Sequence, residues 1–480
     1  MSETALKPSA LEATPAEIAA KAAAARRAAA IWRRTTIGQR VKTLRSLWKT
    51  LAARREEIRA VVHEETGKPL IEVDLMELGA AGLLVDWMTA AAPRVLGDKA
   101  ASKPWSLFNK RAYERRVPRG VVGLITPWNM PFLIPFGDAF AAMLAGNAVL
   151  LKPSEWTTKT ALWLEDAIAA TSLLPEGLLA VVPGGGAAGE AVIDATDMIV
   201  FTGSTKTGRS VAIRAAGQLK SAVLELGGKH PMIVLADASL ERAASAAVWA
   251  SCSNAGQVCV GVERIFVEAD AYDRFVELIR PKVAALRQRL DGKDADLGRL
   301  VFPPLVDRIQ DQLEDARKKG ARVIGGEVLD RANLLVAPAL VLDARMDMKV
   351  MTEECFGPVI PIMKVSRGEE AVALANAGSE GLAASVWTTD LAKGEALAAA
   401  LEVGLVGVNE PASHYAFGAL PFGGMKQSGM GRRHGDEGLL AFTQSQSVLV
   451  HEWPASAPDL WWFPYDERKA GFLRKLMGLP

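Results

Sequence analysis

Cys259 is the residue of this 480-residue sequence most open to covalent chemistry. It stands in Asn254-Ala255-Gly256-Gln257-Val258-Cys259-Val260-Gly261, after a small-residue stretch, where a tight turn would expose a thiolate. Most free cysteines are instead small buried hydrophobes, and Cys252 and Cys355 read that way by composition. A Cys–His hydrolase would also need an imidazole in partnership. His63, His230, His414, His434 and His451 are the candidates, and none has a local arrangement that recommends it.

Two glycine loops could cradle a phosphate. Gly184-Gly185-Gly186-Ala187-Ala188-Gly189 fits G-x-G-x-x-G between a strand and a helix, where such glycines admit a dinucleotide pyrophosphate to a helix N-terminus. Pro183 intervenes, however, and three consecutive glycines satisfy many patterns, so a flexible turn explains it equally well. The second loop, Phe201 to Gly208, opens a helix that Ser204 or Thr205 can cap while backbone N–H groups face an anion. Nucleotide phosphate binding and an ordinary capped helix are its two readings.

Such groups need a scaffold. The first hundred residues read as long helices, with Trp48, Leu51 and Ile58 at helical spacing and a break at Lys68-Pro69. From Lys103-Pro104 onward, short β-branched runs alternate with Ala-rich helical stretches, the sequence form of parallel α/β units. Strands are expected at 121–125, 148–151, 178–182, 198–201 and 222–226, then at 232–235, 264–267, 336–342, 359–365, 383–388 and 405–409. Two α/β lobes in tandem meet near Gly227-Gly228, and such a seam is a usual place for a ligand cleft.

Composition narrows the function classes. Half the residues are apolar, and 56 basic against 55 acidic side chains leave a net charge of +1, no field for a sequence-independent nucleic-acid binder. Three widely spaced cysteines make neither a disulfide framework nor a zinc site, which points to a reducing, cytoplasmic setting. Lys21, Arg26 and Arg27 interrupt the Ala-rich stretch near the start, so it reads as an amphipathic helix. The most apolar region, 120–151, contains Pro127, Asn129, Pro131, Pro135 and Asp138 and does not read as a membrane span. In the tail, Trp453, Trp461, Trp462, Phe463 and Tyr465 precede Arg468, Lys469, Arg474 and Lys475. An aromatic arm packed on its own or a neighbouring subunit is the preferred reading, ahead of a basic membrane-surface helix.

An ordered set of motifs runs from the second helix to about Val450 and resembles the aldehyde dehydrogenase superfamily. The motifs are Pro127-Trp128-Asn129-Met130-Pro131, Leu151-Lys152-Pro153-Ser154-Glu155, Phe201 to Gly208 and Leu224-Glu225-Leu226-Gly227-Gly228-Lys229. They continue with Gly256-Gln257-Val258-Cys259, Glu353-Glu354-Cys355-Phe356-Gly357-Pro358-Val359 and Pro421 to Gly429. The resemblance implies an α/β fold of two tandem open lobes plus a small β oligomerisation element. A Rossmann-like NAD(P)-binding domain would take residues 1–104 and 119–227, and a catalytic domain 228–440. Residues 105–118 and 441–452 would hold the oligomerisation strands, at 109–116 and 444–450, of a homodimer or homotetramer, and 453–480 the tail.

The resemblance also implies roles. Cys259 would add to an aldehyde to give a thiohemiacetal, the Asn129 amide and the Cys259 N–H would hold the oxyanion, and Glu225 would activate the water that hydrolyses the thioester. Relatives that transfer the acyl group to coenzyme A lack that acid, so the free acid is the expected product. Trp128, Lys152, Glu155, Gly185, Gly203, Ser204, Gly208, Leu226, Glu354 and Phe356 would bind the cofactor. Glu155 should repel a 2′-phosphate, which favours NAD; Lys152 and Lys206 nearby leave NADP open.

Met130, Ile134, Val258, Val260, Phe417 and Phe422 would line an apolar aldehyde entrance. Relatives acting on dicarboxylic semialdehydes often carry two arginines where this sequence has Gly137 and Ser253. An uncharged aliphatic or aromatic aldehyde is therefore expected, with a semialdehyde such as succinic semialdehyde as the alternative. A cofactor-independent thiol hydrolase would leave the glycine loops and Lys152 without work. A non-catalytic relative would have lost one of Cys259, Asn129 and Glu225, and all three are present.

Overall fold

The structure is a computed structural model that describes residues 8–411, 413–453, 458–459 and 461–478. The start of the expected first domain and parts of the tail lie outside the described residues. Two largely parallel sheets dominate. The first runs in the order Gly429–Met430, Ser221–Glu225, Met198–Thr202, Val121–Ile125, Ala148–Lys152, Leu179–Val181, antiparallel only at its first pair. The second runs Arg322–Gly325, Ala339–Leu342, Val359–Val365, Val262–Glu268, His230–Val234, Ala383–Trp387, Leu405–Val408. Strands covered on both faces must be apolar throughout, and Val121–Ile125, Ala148–Lys152 and Ala383–Trp387 are buried at every residue.

The strand order of the first sheet places a crevice. Val121–Ile125 has Ala148–Lys152 on one side and Met198–Thr202 on the other, so the chain's order reverses there. Ligands of open α/β sheets bind beyond the carboxyl ends of strands at such a switch point. The segments that leave those ends carry Trp128, Asn129, Gly203, Ser204, Glu225 and Leu226.

Three expectations change. The run 336–342 is not one strand, because Pro338 has no N–H to give a ladder. Leu335–Val336 instead pairs with Val328–Asp330, and Ala339–Leu342 enters the large sheet beside the unexpected antiparallel strand Arg322–Gly325. The helical start is broken at Arg54, between Ile37–Ala53 and Arg55–Thr66. The tail is only partly packed on its own chain: Asp459 is buried against Lys110, but Trp462 is 55% exposed and Phe463 79%.

The helical stretch Leu70–Leu96 is long and apolar enough, by composition, to cross a bilayer. Half of it is buried against the helices Ile37–Ala53 and Leu133–Leu144, as a core helix would be. Its segment Val73–Gly79 is wound as a π-helix, which turns the Glu77 side chain into the core. Outside the two lobes, Lys110–Pro118 pairs along its whole length with Thr443–His451, and Lys99–Ala100 pairs with its other side.

Candidate active site

Cys259 follows a backbone under strain. Asn254, Ala255 and Gly256 all have positive φ, at 51°, 54° and 79°, a region costly for residues with a Cβ. A Cβ on Gly256 would lie 2.1 Å from the carbonyl carbon of Gly357, so this turn and the Glu354–Phe356 loop can meet only through glycine. Gln257 locks the turn: its Nε2 donates to the Asn254 carbonyl at 2.8 Å and its Oε1 accepts from Val301 N at 2.8 Å. Withdrawal from water, reinforced by Glu225, pushes the Cys259 thiol up to about 12, so it rests protonated.

Asn129 is held from several sides. Its side-chain Nδ2 donates to the Gln257 carbonyl at 3.0 Å, and its own carbonyl accepts from Asn254 Nδ2 at 3.0 Å and Lys68 Nζ at 3.1 Å. Lys68 also bonds Glu77 at 2.5 Å with both side chains fully buried. The other Glu77 oxygen accepts from Phe132 N and Leu133 N, at 3.2 and 2.7 Å, the opening of the helix Leu133–Leu144. One buried ion pair thus fixes both the asparagine's backbone and the helix behind it. Removing one partner of such a pair costs about 3–5 kcal/mol, whereas replacing both with apolar groups costs far less. Lys68→Met is accordingly expected to lower the urea midpoint sharply and reduce turnover, and Lys68→Met/Glu77→Gln, which removes both charges but keeps an acceptor for Phe132 N and Leu133 N, to recover part of the midpoint. An unchanged midpoint in the single variant would refute the assignment.

Glu225 ends the strand Ser221–Glu225, 3% exposed, and neither carboxylate oxygen has a hydrogen-bond partner among the described residues. Burial pushes it up to about 8, against the pull of Arg433. Gly423 makes room for it, since a Cβ there would sit 2.9 Å from Oε1. Behind it, buried Arg433 bonds Asp138 at 2.6 Å and also the Thr202 hydroxyl. Thr202 is the residue paired with Glu225 across the sheet.

These groups meet on one cavity of about 170 Å³, lined by Trp128, Asn129, Glu225, Cys259, Glu354 and Phe356 among others. Gly203, Ser204, Leu226 and Ile134 reach it as well. Its far end suits a dinucleotide. Ser204 caps the helix Thr205–Ala216, whose first-turn N–H groups lack partners within the helix. A Cβ on Gly208 would lie 2.3 Å from Leu226 Cδ2, and one on Gly227 2.7 Å from Glu354 Oε1, so glycines open this cradle. Burial, reinforced by Glu263, raises the Glu354 carboxyl to about 7. Glu263 in turn accepts from Cys355 N and Phe356 N and pairs with Lys229 at 2.8 Å, which fixes the loop.

Other expected residues lie apart from the cavity. Lys152, pushed down by burial, sits 3.7 Å from Glu155. Gly185 N donates to Glu12 at 3.0 Å, so an acid already covers the triple-glycine loop. Of the six entrance residues, only Ile134 lines the cavity. Met130 contacts Lys68 through Sδ, Val258 and Val260 are buried in the core, and Phe417 is 60% exposed. Phe422 is buried with its ring 5.0 Å from Tyr415 and 5.6 Å from His434. Phe302, Leu305 and Arg308 line the cavity without any sequence signal, and Phe302 stacks on Trp128 at 6.1 Å.

Comparison with known proteins fits this geometry. The Aldehyde dehydrogenase family profile matches residues 6–448. A Methylomonas protein named 4,4'-diapolycopene aldehyde oxidase is 39% identical over 470 residues, 97% of this chain and 88% of its own. A Mycolicibacterium smegmatis protein provisionally named succinate-semialdehyde dehydrogenase [NADP(+)] is 37% identical over 449 residues, covering 91% and 85%. The crystal structure of a Mycobacterium tuberculosis aldehyde dehydrogenase complexed with NAD+ superposes with a TM-score of 0.86 at 34% identity, over 93% of this chain and 92% of that one. The chain belongs to the aldehyde dehydrogenase family and is an NAD(P)-dependent oxidoreductase.

Proposed function

We propose that this enzyme oxidises an uncharged, apolar aldehyde to the free carboxylic acid, with Cys259 as nucleophile and Glu225 as base. The observation that carries the mechanism is the convergence of Cys259, Asn129 and the unpartnered Glu225 carboxylate on one cavity. The Cys259 thiol gives up its proton to solvent, Sγ adds to the carbonyl carbon, and the oxygen takes up the charge facing the Asn129 amide, a donor worth about 3–4 kcal/mol in comparable sites. Bound NAD(P)+ supplies the acceptance of hydride from that carbon. Glu225 then takes a proton from the water that attacks the thioester, and Cys259 leaves as the thiolate.

Gly203, Ser204 and the N-terminus of the helix Thr205–Ala216 would hold the cofactor's phosphates, with Leu226 lining the cofactor site, Glu354 and Phe356 the nicotinamide end, and Lys152 and Glu155 the adenosine ribose. Glu155 beside Lys152 favours NAD, because the carboxylate would oppose a 2′-phosphate. Residues 1–104 and 119–227 are proposed as the cofactor domain and 228–440 as the catalytic one. Thr443–His451 lies at the edge of its sheet, and an open edge is a template for pairing, which supports a homodimer or homotetramer built through it.

The substrate reading rests on charge. Gly137 and Ser253 offer no cation, buried Arg433 is already neutralised by Asp138, and Arg308 reaches the cavity on the side of Glu354, the carboxyl assigned to the cofactor. The Methylomonas relative's name, 4,4'-diapolycopene aldehyde oxidase, specifies an aldehyde without naming an acid group and supports this reading. The mycobacterial relative's name favours a semialdehyde instead. Absorbance of reduced cofactor, with NAD or NADP and a panel of octanal, benzaldehyde, cinnamaldehyde and succinic semialdehyde, separates the two. The uncharged aldehydes with NAD are expected to give the higher kcat/KM, by at least about tenfold, the worth of burying two methylenes. Preference for succinic semialdehyde would overturn the substrate reading and leave the mechanism standing.

A further inference from the structure

The structure gathers most of its exposed aromatic residues in one place. Trp105, Phe108, Trp453, Trp461, Trp462, Phe463, Tyr465 and Phe472 are all exposed, while elsewhere among the described residues only Trp249 and Phe417 are comparable. Two distant segments build this patch. The Phe108 and Trp453 rings meet at 5.1 Å, Asn109 O accepts from Glu452 N at 2.9 Å, and Lys110 Nζ lies 5.5 Å from the Trp461 ring. A buried Lys110–Asp459 pair at 2.5 Å, in which Asp459 also accepts from Asn109, anchors the tail to the body of the chain. The short helix Glu467–Leu476 is tied back by Lys469 Nζ, which donates to the Pro464 carbonyl at 3.0 Å. The patch is therefore a held surface, and most of it lies beyond the residues that match the family.

Its charge indicates what it meets. Residues 98–116 carry Lys99, Lys103, Lys110, Arg111, Arg115 and Arg116 against Asp98 and Glu114, in a chain whose net charge is only +1; Lys110, Arg111, Arg115 and Arg116 are paired with Asp459, Glu452, Asp98 and Glu114, and Lys99 and Lys103 stay exposed. The tail helix adds Arg468, Lys469, Arg474 and Lys475 against Asp466 and Glu467 at its start, beside exposed Phe472 and Met477. Protein–protein interfaces are enriched in aromatics and Arg but depleted in Lys. Trp and Tyr interleaved with Lys and Arg is instead the composition that settles at the headgroup level of a bilayer.

We infer that this patch docks the enzyme on an anionic lipid surface, with the rings at headgroup depth and the basic side chains on the lipid charges. An apolar aldehyde partitions into the same layer, so docking would bring the enzyme to it; that last step alone rests on the substrate reading above.

Flotation of the full chain with phosphatidylglycerol–phosphatidylcholine vesicles tests the inference. Binding is expected, and Arg474→Gln/Lys475→Gln should weaken it roughly thirtyfold, two surface charges at about fivefold each. Trp461→Ala/Trp462→Ala/Phe463→Ala should abolish flotation while leaving kcat/KM for water-soluble benzaldehyde and the mass by light scattering unchanged. No flotation of the native chain, or flotation undiminished in the triple variant, would overturn docking. A changed mass in the triple variant would assign the patch to a subunit contact and overturn it too. Loss of activity on vesicle-borne octanal in the triple variant, with benzaldehyde unaffected, would extend the inference to substrate delivery; equal activity would confine it to docking.

Discussion

Cys259→Ala is expected to lower aldehyde-dependent cofactor reduction by about six orders of magnitude, the usual scale for removing a covalent nucleophile. The fold should tolerate the change, because the turn is locked by Gln257 and Gly256 rather than by the thiol. Stopped-flow absorbance should accordingly show neither a burst nor a steady phase, while the urea midpoint moves little. A thiol raised to about 12 by burial and by Glu225 also reacts slowly with alkylating agents at neutral pH. Steady turnover in the alanine variant would place the chemistry elsewhere in the cavity.

Glu225→Gln should separate the two halves of the reaction. The carboxylate is one of the causes that raise the Cys259 thiol, so its removal makes the thiolate easier to form and the burst of cofactor reduction persists. Hydrolysis loses its base, and steady turnover is expected to fall about 10²–10⁴-fold. The native enzyme carries a matching pH signature. A carboxyl raised to about 8 is protonated, and idle as a base, below that value. Where hydrolysis limits, steady turnover should rise with pH and level off above about 8, losing about tenfold per unit well below it. The glutamine variant should lack this limb. Full steady turnover in Glu225→Gln would remove the residue from the mechanism.

What could be read in advance divides along physical lines. Strands buried on both faces announce themselves as unbroken apolar runs, which is why 121–125 and 359–365 coincide with the observed Val121–Ile125 and Val359–Val365. The edge strand Arg322–Gly325, half covered and mixed in character, carries no such run. At the cavity, Asn129, Glu225, Cys259, Glu354 and Phe356 were legible because each sits in a short motif whose neighbours keep fixed company. Lys68 and Glu77 were not: Lys68 stands in the break before the helical stretch and Glu77 in its π-helical segment Val73–Gly79, and neither the path of the break nor the π-turn leaves a mark in composition. Tyr415, packed on Phe422 and His434, stands in none of the sequence motifs. Phe302 and Arg308 reach the cavity from the second lobe, and only the three-dimensional meeting of the lobes reveals them.

The Asp138–Arg433 pair has a consequence for the order in which the molecule can be completed. Its partners are 295 residues apart in the chain. A ribosome adding about 5–20 residues per second would present Asp138 some 15–60 s before the guanidinium that must neutralise it. The strand Gly429–Met430, which closes the edge of the same sheet beside Glu225, is made in the same late interval. The first lobe therefore cannot bury its charge or seal its catalytic edge until residues 429–433 have been made. A polypeptide still short of those residues holds an open half-site, and the enzyme acquires its reactive centre only when the second lobe's chain has returned to the first.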